Sequence, residues 1–183
     1  MKQLITTIAI VSVSYFGATA NAQTTHDVSV GPGFVFTPAD ITILAGDTVR
    51  WTWQGGFHNV ESGVGGVHDG AFRSGDPTSA TGITYEVTFD AAFLAANPKP
   101  DDVYPYYCAI HVGGGMVGSV TVIACPGDLD GDGAIGLSDL ASLLANYGAT
   151  SGVDYFDGDI DLDGDVDLSD LAELLAVYGT TCP

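Results

Sequence analysis

The sequence predicts two small domains in series, an all-β sandwich over residues 23–124 and a small all-α domain of two loop–helix repeats over 125–183. Three observations carry this. Short alternating, β-branched or aromatic runs separated by Gly, Pro and Asp turns fill the first part, as in a sandwich. A stretch of the second part returns 31 residues later with leucines at helical spacing. Charge divides at the same place: residues 125–183 carry thirteen acidic side chains and no Lys or Arg, whereas 23–124 carry ten acids against Arg50, Arg73 and Lys99.

The first segment, residues 1–22, reads as a secretory signal peptide. Lys2 precedes an apolar run from Leu4 to Ala18, and Ala20-Asn21-Ala22 offers an Ala-x-Ala cleavage site. That run is short for a bilayer span and contains Thr, Ser and Tyr. No membrane span is therefore expected after cleavage, and the destination is secreted, periplasmic or cell-surface.

Six strands follow from the patterning: Asp27–Val30, Ile41–Leu44, Thr48–Trp53, Ile83–Phe89, Val103–Cys108 and Val117–Ile123. Gly31-Pro32-Gly33, Ala45-Gly46-Asp47 and Gly113-Gly114-Gly115 break them. Asp90 caps a short Ala-rich helix over Asp90–Ala96, which Asn97-Pro98 ends. Along Val103–Cys108 the two-residue period puts Tyr104, Tyr106 and Cys108 on one face and turns Tyr107 outward.

The chemistry lies in Cys108-Ala109-Ile110-His111-Val112-Gly113-Gly114-Gly115-Met116, together with His58 about fifty residues upstream. Two imidazoles, a thiolate and a weak axial thioether form the ligand set of a blue-copper centre, a mixture of donors suited to both oxidation states of copper. The expected site is one type 1 copper held by His58, Cys108, His111 and Met116. The Gly triplet lets the chain turn back tightly from His111 to Met116. His26 and His68, the latter in a Gly-rich loop over 63–70, are expected to be solvated.

The Cys-x2-His-x4-Met spacing and His58-Asn59 resemble the cupredoxins, most closely the plastocyanin-like ones, over Asp27 to Ile123. The resemblance implies a Greek-key sandwich and an electron carrier that works with a redox partner protein. It also implies that Asn59 ties the two ligand loops together. It nominates Tyr107 for an electron path, with a surface aromatic as the alternative. The stretch from Asp90 to Asp102 is longer than the family's usual turn.

Other chemistries fail on inventory. Four histidines with no His-x-His pair exclude a trinuclear copper cluster, one available thiol excludes a bridged binuclear centre, and zinc would leave Met116 without a purpose. No nucleophile–base pair stands out, so an enzyme is not expected. The net charge of −19 argues against nucleic acid and favours a partner with a basic surface. With Cys108 reserved for metal, Cys125 and Cys182 remain to pair in an oxidising compartment.

In the tail, Asp128, Asp130, Asp132 and Asp139 occupy positions 1, 3, 5 and 12 of a loop with Gly at 6. Asp159, Asp161, Asp163 and Asp170 repeat the arrangement. This is the calcium-loop pattern, with the backbone carbonyls of Ala134 and Asp165 at position 7. Two calcium ions are expected. Helices follow over Leu137–Tyr147 and Leu168–Tyr178, each ended by Gly, with no helix before either loop. Two loop–helix repeats with Asp at position 12 resemble the dockerin (EF-hand-like) module. That resemblance implies a cohesin-like partner, although Leu137-Ser138 and Leu168-Ser169 stand where dockerins often carry two hydroxyl residues.

The reading that unites both parts is an exported copper protein carrying single electrons, tethered to a partner or assembly by its tail. Two alternatives stay open: a copper delivery or storage protein, and an interaction module whose sandwich is passive.

Overall fold

The computed structural model describes residues 23–182; the expected signal peptide lies outside them. Among the described residues nine strands are present: β1 (Thr25–Val30), β2 (Phe36–Thr37), β3 (Asp40–Leu44), β4 (Thr48–Trp53), β5 (Glu61–Val64), β6 (Val67–Arg73), β7 (Thr84–Thr88), β8 (Val103–Tyr107) and β9 (Val117–Ile123). They form two mixed sheets of order β2-β1-β4-β7 and β3-β9-β8-β5-β6, with β1 parallel to β4 and β3 parallel to β9.

Alternation positions the core. Val49, Trp51 and Trp53 of β4 point inward from one sheet, and Tyr104 and Tyr106 of β8 with Val120 and Val122 of β9 from the other. Aromatic rings lock the layers: Trp51 meets Tyr106 edge-on with centroids 5.4 Å apart, and Phe89 meets Tyr104 at 5.4 Å. Such pairs contribute beyond the area they bury.

Helix α1 (Ala91–Ala96) forms as expected, with the Asp90 carboxylate accepting from Phe93 N at 2.8 Å. Phe93 and Leu94 pack on the core, and the following segment is pinned where Lys99 Nζ meets Asp69 Oδ2 at 2.8 Å.

Three strands escaped the sequence pattern. The Gly-rich stretch around His68 is a hairpin, β5 and β6, instead of a loop. The outer strand β6 is exposed over its first four residues, so no alternation betrays it. His26 is not freely solvated either. Its Nε2 lies 2.8 Å from Oδ2 of the buried Asp47, which also accepts from the Thr24 and Leu44 amides.

Past Cys125 a second buried cluster forms around Leu129, Ile135, Leu143, Tyr155, Ile160, Val166 and Leu174. Helices α2 (Leu137–Asn146) and α3 (Leu168–Val177) follow the two acidic loops, and a single 3-10 turn at Tyr155–Asp157 precedes the second. The repeats brace each other. Ile135 exchanges backbone bonds with Gly179 and Thr180 beyond α3, and Val166 does so with Gly148 and Ala149 beyond α2. Cys125 and Cys182 are disulfide-bonded, as expected. The helical stripe is only half used: Leu143 and Leu174 are fully buried, while Leu144, Tyr147, Leu175 and Tyr178 are exposed. Ile123 of β9 and Leu44 of β3 join this second cluster, so the two parts share a packed seam.

Candidate metal centre

His58 enters the site from the segment before β5. Its backbone exchanges two hydrogen bonds with Thr78, and its carbonyl accepts from the Trp53 indole at 3.0 Å. Gly56 lies so close that a Cβ there would overlap the His58 ring. Packed in this way, the imidazole is 1% exposed.

Cys108 follows the last residue of β8, on the inward face with Tyr104 and Tyr106. The loop after it closes on itself. Cys108 N donates to Met116 O, His111 N to Cys108 O, and Met116 N to His111 O, all within 3.0–3.2 Å. A 3-10 turn over Val112–Gly114 makes the reversal. Of the Gly triplet, only Gly115 takes the left-handed conformation, with φ 84°.

Three donor atoms converge. His58 Nδ1 and His111 Nδ1 are 3.0 Å apart, and Cys108 Sγ lies 3.8 Å from the first and 3.4 Å from the second. A trigonal metal with nitrogens at about 2.0 Å and sulfur at about 2.3 Å requires donor separations of about 3.5–3.7 Å; the two sulfur–nitrogen distances lie near this, and the two nitrogens sit closer together. Met116 is fully buried in the same core cluster, and its backbone bonds to both Cys108 and His111. Burial, then the proximity of His111, lowers the His58 pKa, keeping its imidazole in the neutral form that can ligate.

The surroundings hold the two loops in register. The Asn59 carbonyl oxygen accepts from Ala109 N at 2.8 Å, joining the residue after His58 to the residue after Cys108. On the outer side, the Phe34 ring stacks on His111 with centroids 4.0 Å apart and planes 20° from parallel. Phe34 gave no signal in the sequence because it sits in a turn between Gly33 and Val35.

Chain comparison matches residues 22–123 to copper binding proteins of the plastocyanin/azurin family. The chain belongs to that family. A chloroplast plastocyanin of Tetradesmus obliquus is 37% identical over 128 residues, covering 66% of this chain and 81% of the relative. A halocyanin of Natronomonas pharaonis is 39% identical over 92 residues, 49% of each chain. Among solved structures, a purple cupredoxin of Nitrosopumilus maritimus aligns with 53% of this chain and 98% of its own at 29% identity, with a TM-score of 0.40.

The exposure expected for Tyr107 from strand parity is overturned. Tyr107 does not face solvent; it is 2% exposed, and its hydroxyl donates to Glu61 Oε2 at 3.1 Å. Strand β5 pairs beside β8 with Glu61 opposite Tyr107, so this cross-strand carboxylate meets the phenol. Burial, then the bond and charge of Glu61, raises the Tyr107 pKa.

In the tail, carboxylates of Asp128, Asp130 and Asp139 come together, as do those of Asp159, Asp161 and Asp170. Asp139 and Asp170 are buried, and each accepts three backbone N–H bonds, which orient it into its loop. Asp132 and Asp163 stand outside these two groups and accept from the amides of Ala134 and Asp165 instead. The Ala134 backbone bridges to Thr181, and Asp165 carries one buried carboxylate oxygen with no partner.

Proposed function

We propose that this chain is an exported type 1 copper protein that carries single electrons, with His58, Cys108, His111 and Met116 as the ligands of one copper ion. The convergence of Cys108 Sγ with the two Nδ1 atoms carries the reading. Copper bound there would supply one-electron chemistry and a thiolate-to-metal charge-transfer colour. The protein's own part is to hold the donors still. The disposition of His58 by Gly56, Trp53 and Thr78, and the closed loop from Cys108 to Met116, favour a geometry that changes little between oxidation states.

His111 is the exit for the electron in this reading. It is the partly exposed member of the set, and Phe34, Phe57 and Ile110 expose apolar surface on the ligand loops and the turn beside them. Tyr107 is buried, so its phenol presents no exposed exit to a partner. The excess of acidic residues suits a basic redox partner, and added salt should slow the encounter.

We further propose that the tail binds two calcium ions and tethers the sandwich to a cohesin-like partner. The clustered carboxylates support calcium. The exposed pairs Leu144 and Leu175, and Tyr147 and Tyr178, repeat between the two helices and support docking. The experiment is to add copper to the protein and to C108S: blue colour in the first alone, retained through cycles of oxidation and reduction, is expected. A colourless parent protein would remove the electron-carrier reading, and loss of copper during cycling would favour delivery or storage.

A further inference from the structure

Glu61 is a buried carboxylate that the electron-carrier reading leaves unused. It is 6% exposed on the strand beside the ligand strand β8, with three donors around it. Its Oε1 accepts from Asn59 Nδ2 at 2.8 Å and from Arg73 Nε at 2.7 Å, and its Oε2 accepts from the Tyr107 hydroxyl at 3.1 Å.

Asn59 and Tyr107 are each adjacent in sequence to a proposed ligand, His58 and Cys108 respectively. Glu61 therefore touches the neighbours of both ligand segments. We propose that Glu61 is a positioning residue of the copper centre, which fixes the orientation of the Asn59 amide and places a negative charge that lowers the reduction potential.

The orientation argument is one of donors and acceptors. Asn59 must offer its oxygen to Ala109 N, so its NH2 group has to point at acceptors. A carboxylate can only accept, and Gly75 O, at 3.1 Å, is the second acceptor. With both partners in place the flipped amide would set oxygen against oxygen and lose the bond that joins the loops.

The charge argument follows from burial. A carboxylate close to a metal favours its more positive oxidation state, and the effect grows where water is excluded. Burial alone would push the Glu61 carboxyl up, but the bonds from Arg73, Tyr107 and Asn59 outweigh it and hold the group ionised below the ordinary glutamate range. Arg73 offsets part of the charge from the solvent side, where its own side chain is 44% exposed and also meets Asp76 at 3.0 Å.

This inference rests on copper being bound at His58, Cys108 and His111, and the test separates the two. Copper-loaded parent protein, E61Q and R73Q are compared by visible spectrum and by redox titration. All three should be blue. The potential of E61Q should rise, because a negative charge is lost; that of R73Q should fall, because the charge is less compensated. A residue that only supports the fold would lower the melting temperature in both variants and leave both potentials where they were, and that result would overturn the proposal. If E61Q does not fold, R73Q decides: a fall supports the proposal, and an unchanged or raised potential overturns it. A parent protein that never turns blue refutes the copper reading itself.

Discussion

Phe34 lies face to face with His111, ring centroids 4.0 Å apart, and covers one side of the imidazole that the Cys108–Met116 loop carries to the surface. The contact joins the turn after β1 to the ligand loop, two segments more than seventy residues apart in sequence. A Cβ at Gly114 would lie only 3.3 Å from Phe34, so the loop is shaped to receive the ring. Replacing Phe34 by Ala should remove about 0.5–1.5 kcal/mol of stacking. The expected outcome is a loss of that size in denaturant unfolding of the copper-free protein, with the blue colour of the copper-loaded form retained.

Asn59→Ala is the sharper lesion. It deletes the acceptor for Ala109 N, at a part-buried contact, and one donor to the buried Glu61. Leaving such groups unpaired costs about 1–3 kcal/mol each. Denaturant unfolding of the copper-free protein should show a loss of that order, and the visible band of the copper-loaded form should shift as the loops drift apart.

Calcium should govern the tail. Burial, then the charges of Asp170 and Asp163, pushes the Asp161 carboxyl up to about 6. Between the ordinary aspartate value of about 4 and that value, the folded tail holds more of this proton than the unfolded chain does. The contribution of Asp161 to stability must therefore fall as pH rises through that window when no cation is present. Thermal unfolding in chelator should show this slope, and D161N should reduce it. Calcium should restore helical circular dichroism most strongly above pH 6; an indifferent spectrum would retire the calcium assignment.

The disulfide spans 57 residues and encloses both repeats. Closing a loop of that length stabilises by about 4 kcal/mol in the chain-entropy model. A C125S/C182S double variant should lose its tail helices at a lower temperature while the blue band survives. Bleaching of the copper at the same point would show that the seam at Ile123 and Leu44 couples the two parts more tightly than expected.

What could be read from the chain alone was whatever a local pattern encodes. The donor set was legible because Cys108, His111 and Met116 share one loop, and His58 announced itself through Asn59. Strand β4 alternates polar and apolar residues, β8 and β9 are rich in aromatic or β-branched ones, and Asp90 caps α1 as its position suggested. Strand β6 was hidden because a mostly exposed outer strand needs no apolar period. Tyr107 was misplaced for a related reason. Strand parity says which side of a sheet a residue takes, but not that Glu61 on the next strand would meet it there. Phe34 could not have been found, since nothing local in a Gly-flanked turn reports a partner so far along the chain.

Strand β9 leaves Met116 at one end and delivers the chain to Cys125 at the other, after seven residues and about 20 Å. The imidazole that would pass the electron and the module that would grip a scaffold thus sit at opposite poles of a single strand. A moored copy would stand with its transfer pole outward, free to meet a diffusing partner without letting go.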